Sequence, residues 1–305
     1  LFRSGWVNKT RNLGGMTFID LRDRYGITQI TCDPSKMNFE LPEIKSEYVL
    51  RVHGKVVARP ESMINKEMIT GEVELEPTKI EVLARCKELP FSVDHENAVG
   101  EDMRLEYRYL DLRRKTMKDN TIMRHKLYME TMKFFDEKGF LHLETPTFIK
   151  NTPEGSREFV VPARFEPGKF FVLPQSPQQH KQMLMVAGFD KYYQMARCYR
   201  DEDPRGDRQP EFTQVDFELS FVEQQDILEL MEEYCKLLAK KYYPNRPIKA
   251  DPFPVLTWKE AMDTYGIDKP ELRVENVKLL ELTDWAKKSE FSLFQNSACI
   301  KGMIV

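Results

Sequence analysis

The chain is 305 residues long, 41% hydrophobic and 31% charged, with a formal net charge of −3. That length can bury more than one core, and no apolar run approaches the roughly 20 residues needed to span a bilayer. The charge balance argues against indiscriminate coating of nucleic acid but leaves local basic patches open.

In chain order, Leu1 enters what reads as a strand, and from there to about Pro90 short alternating runs are separated by turns. MTFIDLRD alternates, YGITQITCD follows a tight turn, YVLRVHGKVVARP is long enough to bend at Gly54, and GEVELEPTKIEVLARC closes the set. About five strands without a long helix predict a small all-β barrel, with an OB-fold the leading candidate. Residues 91–118 turn polar and end in RLEYRYLDLRRKTM, a connector with a helical portion. NTIMRHKLYMETMKFFDEKGF then places Ile122, Leu127, Met129, Phe134 and Phe135 at mainly helical spacing and stops at Gly139. LHLETPTF reads as a strand closed by Pro146, and FFVLPQSPQQHKQMLMVAGF as strand, Pro-rich turn and helix. Two strands follow around the charged loop of RCYRDEDPRGDRQPEFTQVDFELSF, and DILELMEEYCKLLAKKYY is an amphipathic helix. Strands joined by a hairpin-like loop and mixed with helices predict an antiparallel α+β domain. The run ACIKGMIV stops at Val305, so both ends read as cut.

Cys32, Cys86, Cys198, Cys235 and Cys299 form no CxxC pair, which fits a reducing, cytoplasmic setting better than a zinc ribbon or disulfide scaffold. His53, His95, His125, His142 and His180 show no ligand spacing, so no metal is assigned. No secretory signal is visible, although the sequence does not begin with Met.

The chemistry concentrates in the charged hairpin. Strand side chains alternate, so Thr213, Val215, Phe217, Leu219 and Phe221 share one face, and Gln214, Asp216 and Glu218 the other. Tyr192, Gln194, Ala196, Cys198 and Arg200 likewise share a face, with Glu202, Arg205, Arg208 and Gln209 in the loop between. An arginine fork suits a phosphate, and carboxylates suit Mg²⁺ or an amino group. A charged hairpin tip is commonly only a solvated turn. Against that, the polar row runs on into a sheet interior, where unpartnered acids are costly.

These residues carry a resemblance. YRDEDPRGDRQPEFTQVDFELSF resembles motif 2 of class II aminoacyl-tRNA synthetases, and FFDEKGFLHLETPTF resembles motif 1. With TPEGSREFVVPAR and LPQSPQQHKQMLM in the same order, nearly the whole chain is similar to the bacterial-type aspartyl-tRNA synthetases. The resemblance implies a multidomain protein. An OB-fold anticodon-binding barrel would span 1–90 and a hinge 91–118. A class II catalytic domain would span 119–268, and the start of an inserted α/β domain 269–305.

It also implies activation of L-aspartate with ATP and Mg²⁺, then transfer of the aspartyl group to the terminal adenosine of tRNA(Asp). Arg200 would contact the α-phosphate and the aspartate carboxylate, Glu202 the adenine or ribose side, and Gln209 would help place ATP. Glu154 and Gln178 would hold the α-ammonium group, and Lys181 would face the side-chain carboxylate. Asp216 and Glu218 would lie beneath the substrate, Asp216 orienting Lys181 or the ammonium. Asparagine would leave a buried Lys181 uncompensated, and the related asparagine and lysine enzymes do not share QSPQxxK. The bland alternative is a Lys181 that snorkels to solvent.

On the barrel, the resemblance points to Phe18 stacking on an anticodon base, Gln29 reading a base edge and Arg11 near the backbone. Phe18 as plain core competes evenly with that reading. Leu13 stands where relatives that also charge tRNA(Asn) often carry His, which points to a tRNA(Asp)-restricted enzyme. The family uses its motif 1 helix for a homodimer. Motif 3 and a second pocket arginine have no counterpart here, so this stretch alone is expected not to form adenylate. A noncatalytic tRNA-binding or regulatory paralogue is the alternative reading; an asparaginyl-tRNA synthetase is disfavoured by Lys181, and an asparagine synthetase by the barrel.

Overall fold

The computed structural model describes residues 2–94, 99–152, 154–274 and 277–304; Leu1, His95 and Val305, singled out above, lie outside the described residues. The chain divides into two compact units, 1–125 and 126–305.

In the first unit, five strands close into a barrel in the order β1-β2-β3-β5-β4. They are β1 (Phe2–Leu13), β2 (Met16–Arg22), β3 (Ile27–Cys32), β4 (Val49–Ala58) and β5 (Val73–Ala84). Gly14 and Gly15, both at positive φ, make the tight β1–β2 turn, where L-residues with a Cβ would be strained. β3 meets β5 in parallel at Ile30 and Leu75, while β1–β4 and β4–β5 pair antiparallel. The expected bend at Gly54 is present as a register shift between His53 and Gly54. A Cβ at Gly54 would stand 2.2 Å from the Glu76 carbonyl oxygen, so only glycine lets the two strands approach there. Alternation points Val7, Ile19, Leu21, Ile30, Leu50, Val52 and Leu75 into one buried cluster. The connector folds as two short helices, α1 (Glu101–Glu106) and α2 (Arg108–Asp111).

α3 (Lys115–Glu137) carries the motif 1 pattern. Its buried residues are Thr131, Phe134 and Phe135, whereas Met129 is exposed, so the apolar spacing outruns the face that is packed. Gly139, at φ 79°, ends the helix region in the left-handed conformation expected of a C-terminal glycine. The strand read in LHLETPTF is shorter than expected: only β6 (Leu141–His142) pairs, and it runs parallel to β9. Thr145 turns its hydroxyl to Gln194 Oε1 at 3.0 Å, and Pro146 offers no N–H to extend a ladder.

β7 (Val160–Pro162) and β8 (Phe170–Val172) form a small antiparallel pair, followed by α4 (Gln178–Val186). β9 (Lys191–Tyr199) and β10 (Glu211–Leu219) pair antiparallel over their full lengths, giving the sheet order β10-β9-β6. α5 (Gln224–Tyr242) opens with a reciprocal capping box between Glu223 and Asp226. Phe135 sits at the centre of the second core, stacked on Tyr193 at 5.0 Å and edge-on to Phe134 and Phe140. Val215, Phe217 and Leu219 pack against this cluster as the alternation predicts, but Phe221, expected on the same face, lies past the end of β10 at φ 61°, where the strand period no longer applies, and is 99% exposed. The remainder holds α6 (Trp258–Tyr265), α7 (Thr283–Ala286), α8 (Ser292–Asn296) and the short pair β11 (Leu280–Glu281) with β12 (Lys301–Gly302).

Candidate functional site

The polar row of β10 lies opposite that core. Lys181, one turn into α4, sets its Nζ 2.9 Å from Asp216 Oδ1 and 3.2 Å from Glu218 Oε2. The Lys181 and Asp216 side chains retain only 12% and 9% exposure, so Lys181 does not snorkel. Burial works against the ammonium, but the hydrogen bonds and charges of Asp216 and Glu218 outweigh it and hold the lysine pKa above its ordinary value. Burial raises the Asp216 pKa despite the bond to Lys181. Asp216 Oδ2 is buried and has no hydrogen bond of good geometry among the described residues; the Tyr192 hydroxyl is close enough to lower the Asp216 pKa but is directed to Gln194. Beside it, the Tyr192 hydroxyl bonds Gln194 Oε1 at 2.8 Å, and burial, then Asp216, pushes the phenol pKa far up.

This geometry changes the discrimination argument. Lys181 already has two carboxylates, so asparagine would not leave it uncompensated. The cluster of one cation and two anions is net negative, so it draws in an ammonium group first, and a third carboxylate can approach Lys181 only once that ammonium has offset the excess negative charge.

Above this row, the PEGS and QSPQ segments are tied together. Ser176 Oγ donates to Glu154 Oε2 at 2.7 Å and accepts from the Gln178 backbone N–H at 3.4 Å. Gln175 is almost fully buried, and its Oε1 accepts from Ser156 N and Oγ at 3.2 and 2.8 Å while its Nε2 donates to the Ser156 carbonyl at 2.9 Å. Sequence reasoning singled out Gln178 and passed over Gln175, though both lie in one quoted segment. The signal was the place of Gln175 in the Pro-rich turn, between Pro174 and Pro177.

Arg200 lies just beyond β9, stacked over the Phe212 ring at 5.1 Å, with Nη2 3.5 Å from the Gln175 carbonyl. It lines a cavity of about 390 Å³ together with Glu202, Asp203, Asp207, Arg208, Gln209 and Phe212. Three residues named from the sequence, Arg200, Glu202 and Gln209, thus share one cavity, and Glu202 stands 3.9 Å from Arg208. Cys198 marks the meeting point of these groups. Burial and then Asp216 push its thiol up to about 11, and Arg200, Glu154 and Lys181 are all close enough to act on it. Among the described residues no three His, Cys, Asp or Glu side chains cluster to hold a metal.

In the barrel, Phe18 is half-buried and lies outside the core cluster, on the face opposite Ile19 and Leu21. That position is compatible with a stacking residue. Around it, Arg11 Nη2 donates to Asp20 Oδ1 at 2.8 Å and to Gln29 Oε1 at 3.2 Å, and Gln29 Nε2 donates to Glu74 Oε2 at 3.0 Å. Glu74, missed in the sequence, was legible from its alternation with Val73 and Leu75. Leu13 is 63% exposed beside the glycine turn.

A closed five-stranded barrel in one unit and, in the other, a sheet carrying such a row define a class of protein, and family models agree. One described as "tRNA synthetases class II (D, K and N)" matches residues 100–294, and one described as "OB-fold nucleic acid binding domain" matches residues 4–83. The chain belongs to the class II tRNA synthetase family.

Among relatives, it is 47% identical over 304 residues to the aspartate–tRNA(Asp/Asn) ligase of Treponema denticola, covering 99% of this chain and 51% of that protein. It is 47% identical over 309 residues to the aspartate–tRNA ligase of Macrococcus caseolyticus, covering 99% and 52%. The chain spans about half the length of these curated relatives. The crystal structure of asparaginyl-tRNA synthetase from Pyrococcus horikoshii shares the fold with a TM-score of 0.70 at 21% identity, over 86% of this chain and 62% of that one.

Proposed function

We propose that this chain carries the anticodon-binding barrel and much of the amino-acid activation site of an aspartate–tRNA ligase. The observation that carries the reading is the buried Lys181–Asp216–Glu218 cluster with an unpartnered carboxylate oxygen. A structural ion pair would have no need of that spare acceptor, whereas a substrate ammonium would fill it. The naming of the relatives as aspartate–tRNA ligases supports the amino acid.

In this reading Asp216, Glu154 and Gln178 receive the α-ammonium, and Lys181 meets the side-chain carboxylate after yielding part of its contact with Glu218. Arg200, held by Phe212 and the Gln175 carbonyl, meets the α-phosphate as charge builds during attack by the carboxylate oxygen. Glu202 and Gln209 place the adenosine side of ATP. Mg²⁺ would enter with the phosphates, which supply hard oxygen ligands, and the carboxylates of Asp201, Asp203 and Asp207 lie in the same loop. Phe18 stacks on an anticodon base, while Arg11 and Gln29 contact backbone and base edge.

The segments 1–90, 91–118, 119–268 and 269–305 serve as barrel, hinge, catalytic domain and start of an inserted domain. A homodimer is supported by the apolar positions of α3, such as exposed Met129, that its own core leaves unused, and a cytoplasmic setting by the five unbridged cysteines. Whether tRNA(Asn) is also charged turns on Leu13, since both kinds of name occur among the relatives.

The test is ATP–pyrophosphate exchange with aspartate and with asparagine. The 305-residue chain alone is expected to give none, and a polypeptide completed to the length of its relatives to exchange with aspartate only. Exchange favouring asparagine, or none from the completed polypeptide, would overturn the reading.

A further inference from the structure

The barrel unit holds a second buried ionic cluster, which the reading above does not use. Glu47 precedes β4, is 3% exposed, and adopts φ 61°, a left-handed conformation unusual for glutamate. Its backbone N–H donates to the Val7 carbonyl at 2.7 Å, where β1 shifts register, so the Glu47 backbone is anchored at one end of the barrel while its side chain can still move. Two guanidinium groups share it. Arg22, at the end of β2, bonds Glu47 Oε1, and Arg113, from the connector, reaches Oε2 at 2.7 Å. Arg113 also lies 5.1 Å over the Trp6 ring.

Three features distinguish this arrangement from an ordinary core ion pair. Arg22 has other partners, Asn8 Oδ1 at 2.6 Å and Asp94 Oδ1 at 3.8 Å. It would stay compensated if Glu47 moved. Glu47 also lines a cavity of about 540 Å³ with Tyr48, Phe91, Val93 and Asp94, which gives the carboxylate room to move. Arg113 is 29% exposed, so water can solvate it on release. A conformationally strained acid, an alternative partner for one arginine and solvent for the other together describe two accessible states.

We propose that Glu47 is a releasable latch that positions the connector on the barrel through Arg113. Arg22 is the fixed side of the latch, and Arg113 the side that lets go. The role belongs to Glu47 as a positioning residue acting through Arg113, with α1 and α2 as the elements positioned.

Amide hydrogen exchange on the whole chain tests this. In Glu47→Gln, exchange in α1 and α2 should rise at least tenfold, while the amides of Ile19, Ile30 and Leu50 keep their wild-type protection. Arg113→Met should show the same pattern and serves if Glu47→Gln fails to fold. Arg113→Lys, which keeps charge but loses the fork and the ring contact, should be intermediate. The double variant should add nothing to Glu47→Gln alone. Wild-type exchange in the connector, or equal loss of protection in connector and barrel core, would overturn the latch.

Discussion

Both units place a row of polar side chains opposite an apolar core, yet the two rows differ in how they are held. On the barrel, Arg11, Asp20, Gln29 and Glu74 form a chain of hydrogen bonds on a half-buried surface. At the sheet, Asp216 and Glu218 of β10 meet Lys181 from α4; Lys181 and Asp216 are largely withdrawn from water, and Glu218 is 29% exposed. The same period-two alternation produces both rows. What separates them is desolvation. A surface ion pair contributes little because water competes for each partner, whereas removing one partner of a buried pair strands the other charge. The barrel row is therefore free to exchange its partners for a ligand, while in the sheet row the buried Lys181–Asp216 pair holds and only the more exposed Glu218 contact can yield.

Substitutions can break or sharpen this contrast. The largest effect is expected at the core beneath the sheet row. Phe135→Ala removes a fully buried ring in contact with Tyr193, Phe134 and Phe140 and should cost about 4 kcal/mol in urea unfolding.

Next comes Lys181→Met, which should cost about 3 kcal/mol at pH 7 by stranding Asp216. The pH dependence has a definite sign. The Asp216 pKa is already raised above its ordinary 3.8. Its native contribution is complete below that value and declines as pH rises through the native pKa. Loss of Lys181 widens the gap, so the variant's deficit should grow from pH 4 to pH 7. The lysine pKa is raised above 10.5, so wild type should lose stability as pH climbs past that value, a loss the variant lacks. A deficit independent of pH would show that the cluster is not the electrostatic unit described.

The smallest effect is expected at the barrel row. Arg11→Met should change stability by less than about 1 kcal/mol, while an anticodon hairpin should bind at least tenfold more weakly. If it costs as much stability as Lys181→Met, the contrast fails.

Much of both rows was legible beforehand because alternation is a local rule. Phe217 and Leu219 turned to the core, Asp216 and Glu218 away from it, and the bend at Gly54 all follow from side-chain parity and backbone sterics. The misses have a common cause. Gln175 was passed over because its role is to clasp Ser156, nineteen residues away, and Thr131 because its hydroxyl pairs with Tyr234 from a different helix. Met129 belongs to the same apolar series as Phe134 but lies about 140° around the helix from it, and packing covers only the Phe134 side.

The sequence by itself determined the order of strands and helices, the barrel's inward set and the family motifs, since these rest on periodicity, turn chemistry and residue type. Only the tertiary structure decided that Lys181 is compensated by two acids and that Asp216 keeps an unpartnered oxygen. Glu47 joining two arginines was likewise decided there. Those facts depend on which charges are brought together out of water, and Coulomb energies at a few ångströms are set by the fold rather than by neighbours in the chain.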